Sequence, residues 1–166
     1  MTVPPPLLAT EDLTMRFGGV VAVDRVSVSI AEGELRCLIG PNGAGKSTFF
    51  RCLTGQYRPT SGRVLWRGKD VTGLDPFRMA RLGIGIKTQV PALFDGLPVV
   101  EGVRLAARRL YGERESRRLA DAALDRLGIA HLADRPAGLL AHGQRQLAEL
   151  ATVVAPGPDL VILDEP

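Results

Sequence analysis

An α/β fold is the class that the sequence predicts, and three observations carry the prediction. At residues 38–48, LIGPNGAGKST, a short apolar run passes into a glycine-rich loop and then into a helical segment beginning near Lys46. Residues 160–163 are apolar and end in two carboxylates, Asp164 and Glu165. That pattern reads as a buried strand carrying charge to its C-terminal tip, where ligands bind in open α/β sheets. Between the two, from Pro91 onward, apolar residues recur at helical spacing.

The first stretch fits G-x-x-x-x-G-K-[ST], with Gly40 and Gly45 as the fixed glycines, Lys46 as the cation and Ser47 as the hydroxyl. Gly40, Gly43 and Gly45 let the backbone adopt conformations that a Cβ would block, so that successive N–H groups point at one anion. The helix that follows adds the positive end of its dipole. Lys46 reaches terminal phosphate oxygens and the Ser47 hydroxyl ligates Mg²⁺. The pattern therefore predicts a nucleotide site, against the alternative of an ordinary strand-turn-helix connection. Mg²⁺ on a nucleotide needs an acidic second partner, and hydrolysis needs a group that positions water. Asp164 is assigned to Mg²⁺, through water, and Glu165 to the attacking water.

With 166 residues and 45% hydrophobic content, the chain is long enough for one domain with a real core. The formal charge of +3 and the pI near 9.2 come mostly from arginine, since Lys46, Lys69 and Lys87 are the only lysines. No Lys/Arg block is long enough to argue for a nucleic-acid face, and no nucleic-acid partner is expected. Cys37 and Cys52 lack C-x-x-C spacing and sit among apolar residues, the usage of a reduced cytosolic protein. The start, MTVPPPLLAT, reads as no signal peptide, and no stretch of the sequence is long and apolar enough for a membrane span. Work at a membrane is expected to go through a partner.

In chain order, residues 7–30 hold short β-branched-rich stretches broken by Gly18 and Gly19, and Val26, Val28 and Ile30 alternate with Ser27 and Ser29. That alternation is the period of a half-buried strand. Glu32, Gly33 and Glu34 make a turn. Residues 35–39 then form a short apolar run suited to burial on both faces as a parallel strand. A helix is predicted over 47–54 with Gly55 as its stop, and a strand over 63–66 after the turn signals Pro59, Ser61 and Gly62. Asp75 before Pro76 is an N-cap followed by proline at the first helical position, and Gly83 stops that helix. Residues 85–88 make a short strand leading to Gln89. Val99, Val103, Ala106, Ala107 and Leu110 mark one helix. Leu119, Ala120, Ala123, Leu124 and Leu127 mark a second, ended by Gly128. The arginine- and glutamate-rich stretch between them reads as a solvated face and loop. A third helix follows Gly143, with Leu147, Leu150, Ala151 and Val154 on one face and Pro156 and Pro158 at its end.

GPNGAGKST at residues 40–48, Gln89 after a short strand, LAHGQRQ at 140–146 and LVILDEP from 160 onward together resemble the nucleotide-binding subunit of an ABC transporter. Order and spacing agree with that family over nearly the whole chain. The LAHGQRQ piece separates the family from other P-loop ATPases, since it stands where ABC proteins carry a signature of the L-S-G-G-Q kind. GIGIKTQVPALFDGLPVVEGV and His142 most resemble the ATPases of branched-chain amino acid and urea uptake systems, with urea slightly favoured. The resemblance implies a P-loop NTPase fold with a RecA-like core, an antiparallel β subdomain and a helical signature subdomain. Residues 1–166 are then a single ATP-binding domain, with 7–91 and 156–166 in the β and RecA-like parts and 92–155 in the helical part.

The same resemblance implies site roles. Gly40, Pro41, Asn42, Gly43, Ala44, Gly45, Lys46, Ser47 and Thr48 bind the nucleotide, and Phe17 stacks on adenine unless it is merely a core phenylalanine. Ser47, Gln89 and Asp164 serve the metal. Glu165 and Gln89 are the catalytic pair, and Gln89 also reports nucleotide state to the helical region that meets the membrane subunit. Leu140, Ala141, His142, Gly143 and Gln144 face the nucleotide of a second ATP-binding subunit across a head-to-tail dimer, homo- or heteromeric. The cofactors are ATP and Mg²⁺. The partners are membrane permease subunits and, indirectly, a solute-binding protein, at the cytoplasmic face of a bacterial-type inner membrane.

Two departures from the pattern matter. Ala141 stands where the signature has serine, which removes one hydroxyl donor to the partner's γ-phosphate, a loss on the order of 1 kcal/mol that weakens ATP-dependent dimerisation. His142 replaces a glycine and reads as a subfamily mark, and His131 as a loop residue near a helix end. The sequence also stops at Pro166, before the D-loop, further strand and switch histidine of the family. In the family's sheet that strand lies between the phosphate-loop strand and the acidic strand, so its loss opens a gap of about 10 Å and leaves strand edges unpaired. The expectation is a fragment, incomplete at the C-terminus. Besides an importer ATPase, two readings stand: a non-hydrolysing nucleotide-binding remnant, and a soluble ABC ATPase of DNA repair or translation.

Overall fold

The computed structural model describes residues 5–87 and 93–164. The chain divides into two compact units, residues 1–82 and 83–166.

The first unit is an antiparallel sheet carrying two helices. Strands β1 (Leu8–Phe17), β2 (Val20–Val26), β3 (Ser29–Ile30), β4 (Ser61–Trp66) and β5 (Lys69–Asp70) lie in the order β2-β1-β4-β5, with β3 also paired to β1. β1 turns into β2 at Gly18, whose φ of 55° is in the left-handed region, so Phe17 pairs with Val20 at the hairpin tip. The predicted alternation from Val26 to Ile30 holds in burial, but it is not one strand: Val26 closes β2 opposite Leu13, while Ser29 and Ile30 pair separately with Ala9 and Leu8. A threonine explains the gap. Thr10 Oγ1 donates to Val26 O at 2.9 Å and accepts from Val28 N–H at 3.1 Å, so one hydroxyl stands in for backbone partners where the strand breaks. β5 was not foreseen. It is joined to β4 by Arg67 and Gly68, both at positive φ, the backbone of a two-residue type I′ hairpin.

Helix α1 (Lys46–Leu53) follows the glycine loop and α2 (Pro76–Arg81) starts as predicted. Asp75 Oδ1 accepts from Arg78 N–H at 2.9 Å, and Pro76 occupies a position whose N–H needs no partner. Leu8, Leu13, Leu53, Val64 and Met79, from strands and both helices, are fully buried.

Residues 35–39 differ from the expectation. They form no strand, pair with none among the described residues, and leave Leu35 93% and Ile39 91% exposed. An apolar run becomes a parallel strand only where neighbouring strands supply ladder partners on its edges, and composition cannot create them.

The second unit packs helices beside a two-stranded parallel sheet. β6 (Ile84–Lys87) pairs with β7 (Leu160–Leu163) in the register Ile84 to Leu160 through Lys87 to Leu163. The crossover is α3 (Val99–Arg108), α4 (Glu113–Arg126), two 3-10 turns at Ala130–Leu132 and Ala137–Leu139, and α5 (His142–Val154). Val99, Val103, Ala120, Leu124, Ala148 and Ala151 meet in its core; the faces of α3 and α4 are those that the periodicity marked, but on α5 the marked Leu147 is exposed and Ala148 is buried instead. The charged stretch after α3 is not all loop, for α4 begins at Glu113. Glu113 pairs with Arg104, with Arg108 at 2.9 Å and with Arg117 at 3.8 Å, and acidic residues in a first helical turn complement the dipole. β7 is also less buried than predicted, with Ile162 inside while Val161 and Leu163 are exposed.

Replacing Leu124 by alanine is expected to cost about 2–5 kcal/mol in urea denaturation. The exposed Leu110→Ala is expected to stay within about 0.5 kcal/mol.

Candidate functional site

In the first unit, the phosphate loop takes the shape its glycines allow. Gly43 and Gly45 have φ of 83° and 84°. A Cβ on Gly45 would lie 2.0 Å from Ala22 O and 3.2 Å from Ala22 C, so the loop rests on the β2 backbone at a distance only glycine permits. At Gly43 nothing lies within 4 Å of such a Cβ. Gly45 is the N-cap of α1 and has no side chain to bond the first-turn N–H groups. Those donors and the dipole's positive end suit an anion. Pro41, Asn42, Gly43 and Ala44 are exposed; Gly45, Lys46, Ser47 and Thr48 are half-buried.

Lys46 folds over its own loop, donating from Nζ to Gly40 O at 2.8 Å and Pro41 O at 2.9 Å. A phosphate oxygen is a stronger partner than either carbonyl because the bond is then charged on both sides. The loop, the cation and the uncapped helix start thus form a cradle whose donor set fits a phosphate chain, and the Ser47 hydroxyl supplies the oxygen that Mg²⁺ prefers. Phe17 lies in the same unit at the β1–β2 tip and is 44% exposed. It is not a core residue, and its ring is available to stack.

In the second unit, Asp164 follows β7, is buried, and donates its backbone N–H to Lys87 O at 3.0 Å. Gln89 and Glu165 lie outside the described residues. The signature residues form the start of α5. Ala141 is its N-cap, extended at φ −62° and ψ 154°, and its N–H donates to Gln144 Oε1 at 3.1 Å. This is half of a capping box, since alanine offers no acceptor in return. Leu140 is half-buried, Ala141, His142 and Gly143 are exposed, and Gln144 is half-buried. His142 Nε2 is 3.5 Å from Gln146 Nε2. His131 sits exposed in a 3-10 turn.

One charged group escaped the sequence reading. Lys87 Nζ lies 3.7 Å from Glu149 Oε2 with both side chains 6% exposed. Arg145 Nε is 3.5 Å from Glu149 Oε1, an ion-pair separation, and Arg145 Nη1 is 2.8 Å from Asp95 Oδ1. The available signal was Glu149 itself, a carboxylate among Leu147, Ala148, Leu150 and Ala151 on the apolar side of α5. The cysteines differ from one another: Cys52 is buried, as read, but Cys37 is exposed.

Fold and loop together define a P-loop nucleotide-binding protein. The ABC transporter family matches residues 23–166, and the chain belongs to that family. It is 38% identical to the high-affinity branched-chain amino acid transport ATP-binding protein LivG of Salmonella typhimurium, and the alignment covers 97% of this chain and 69% of LivG. BraF of Pseudomonas aeruginosa, of the same description, is 37% identical over the same shares. Among solved structures, the ADP conformation of an ATP-binding cassette of an ABC transporter superposes with a TM-score of 0.86 at 31% identity, covering 99% of this chain and 70% of that one. Among the described residues no helix is long and apolar enough to cross a membrane.

Gly45→Ala is expected to abolish binding of a fluorescent ATP analogue, because backbone and not a flexible side chain stands in the way. Gly43→Ala costs only the left-handed strain of about 1–2 kcal/mol and is expected to retain measurable binding. In a second measurement, iodoacetamide at pH 8 is expected to label Cys37 and leave Cys52 intact until urea is added. Burial pushes the Cys52 thiol up to about 11, so the reactive thiolate is scarce at that pH.

Proposed function

We propose that this chain is the ATP-binding and ATP-hydrolysing subunit that powers an ABC importer, with branched-chain amino acids as the solute class. The phosphate cradle of Gly45, Lys46 and the uncapped start of α1 carries the first part of this reading. The solute class rests on the names of LivG and BraF, and those names favour it over urea.

In this reading the N–H groups of residues 43–48 hold the phosphate chain, and Lys46 leaves the Gly40 and Pro41 carbonyls for terminal phosphate oxygens. Mg²⁺ bound with ATP supplies neutralising charge on those oxygens. Ser47 would hold the metal, and Asp164, through water, and Gln89 are the further residues that would serve it. Glu165 positions the attacking water, and Gln89 relays nucleotide state to the helical part, residues 92–155. Phe17 stacks on adenine. The α5 start, from Leu140 to Gln144, donates to the γ-phosphate held by a second ATP-binding subunit. The pair works on membrane permease subunits at the cytoplasmic face, with a solute-binding protein beyond them.

Gly143 offers a test of the signature role. A Cβ there meets nothing within 4 Å, so the fold does not require glycine at this position. Gly143→Asp is expected to leave the melting curve and ATP binding unchanged while lowering ATP-driven hydrolysis and leucine uptake at least tenfold in vesicles carrying the cognate permease. Lys46→Ala is expected to remove ATP binding as well. Uptake of urea and not of leucine by the wild-type assembly would refute the solute assignment and leave the ATPase reading standing.

A further inference from the structure

Phe17 does not stand alone at the hairpin tip. The Tyr57 ring lies against it with centroids 5.4 Å apart and planes at 76°, the edge-to-face geometry that aromatic pairs favour. Tyr57 is itself held by Arg51. Arg51 Nη1 donates to Tyr57 Oη at 2.9 Å, the guanidinium carbon sits 5.5 Å from the ring centroid, and Tyr57 N–H donates to Arg51 O at 3.0 Å. Arg51 belongs to α1, the helix that begins at the phosphate loop. The loop carrying Tyr57 is also stitched to the strand carrying Phe17. Thr60 N–H donates to Thr14 O at 2.8 Å, and Thr60 Oγ1 accepts from Arg16 N–H at 3.0 Å.

From this chain of contacts we propose that Tyr57 is a positioning residue for base recognition. It holds the half-exposed Phe17 ring in one orientation and, through Arg51, ties that orientation to the helix leading from the phosphate loop. The proposal rests on the reading of Phe17 as the adenine platform. A lone phenylalanine at a glycine turn samples several rotamers, and fixing it before the ligand arrives removes an entropic cost from binding. The triphosphate end draws nothing from this pair. Tyr57 therefore contributes to affinity for nucleotides and not for inorganic tripolyphosphate.

The test is equilibrium binding of ATP and of tripolyphosphate, each with Mg²⁺, to the full chain and to Tyr57→Ala, Tyr57→Phe, Phe17→Ala and the double alanine variant. Tyr57→Ala is expected to weaken ATP about threefold to tenfold, the size of one aromatic pair, and to leave tripolyphosphate unchanged. Tyr57→Phe keeps the ring contact and is expected to recover most of the loss. The double variant is expected to bind ATP no more weakly than Phe17→Ala, since positioning a ring that is absent is worth nothing. Equal losses for ATP and tripolyphosphate on Tyr57→Ala would mean a merely structural role and overturn the proposal. So would an unchanged ATP affinity in Tyr57→Ala beside a loss in Phe17→Ala, an outcome that leaves the adenine platform intact. An unchanged ATP affinity in Phe17→Ala would instead remove the platform reading itself, and the proposal with it.

Discussion

The close approach of Gly45 to the Ala22 carbonyl is the constraint on which the first unit depends. With the position of a Cβ only 2.0 Å from that oxygen, the phosphate loop and the β2 backbone are in direct contact, and no side chain separates them. β2 is one arm of the hairpin that ends at Phe17. The loop is continuous with α1, whose Arg51 reaches Tyr57, and Tyr57 returns to Phe17. The result is a closed circuit of hairpin, loop, helix and turn, in which each link is a hydrogen bond, a ring contact or backbone in van der Waals contact. The phosphate cradle and the Phe17 ring, the proposed platform for a base, are thus fixed on one piece of structure. Such pre-organisation matters because ordering these groups at the moment of binding would subtract from affinity.

The second unit is organised around charge placed where charge is costly. Lys87 closes β6 and Glu149 lies on α5, and both are withdrawn from water. Taking ions out of water costs several kcal/mol each, and their attraction offsets that only when geometry is good and other groups assist. Arg145 assists from the other side of the Glu149 carboxylate and is itself engaged by the exposed Asp95. Removing one member would leave an uncompensated buried ion. The strand end that precedes Gln89 and the helix that opens with the signature residues are therefore held together by an interaction that tolerates little displacement.

The parts of this fold that were legible in the sequence are those decided locally. The N-cap at Asp75, the proline after it and the glycine stops are each determined by the backbone of one or two residues, and all stand as read. The faces of α3 and α4 also stand, because burial of Val99, Val103, Ala120 and Leu124 follows from period alone, whereas on α5 the face is turned so that Leu147 is exposed and Ala148 buried. The glycine-loop motif was legible for the same reason, since its spacing encodes a backbone shape. What failed was nonlocal. Residues 35–39 have the composition of a central strand and lie exposed, because a strand is made by its neighbours. The start of α4 was hidden because its charges look like a loop until Arg104, nine residues upstream in α3, is found to pair with Glu113. Tyr57 gave no signal at all, for its contact with Phe17 joins positions forty residues apart in the chain.

The start of α5 shows how a departure from a familiar pattern is absorbed. Serine at an N-cap uses its oxygen to hold an N–H of the first turn, and that oxygen is then partly committed to the helix. Alanine at position 141 cannot do so, and the only cap that remains is the reverse bond from Ala141 N–H to Gln144 Oε1. The first-turn N–H groups of α5 are left without a side-chain acceptor on an exposed surface. A helix start in that condition has more to gain from an external anion than a fully capped one, since the anion satisfies donors that otherwise face water. On the proposed signature role, loss of the serine hydroxyl as a donor and release of backbone donors from internal capping would act in opposite directions on the same phosphate. A Cβ at position 143 would meet nothing within 4 Å, so the space beside these donors is open, and a larger side chain there would occupy it.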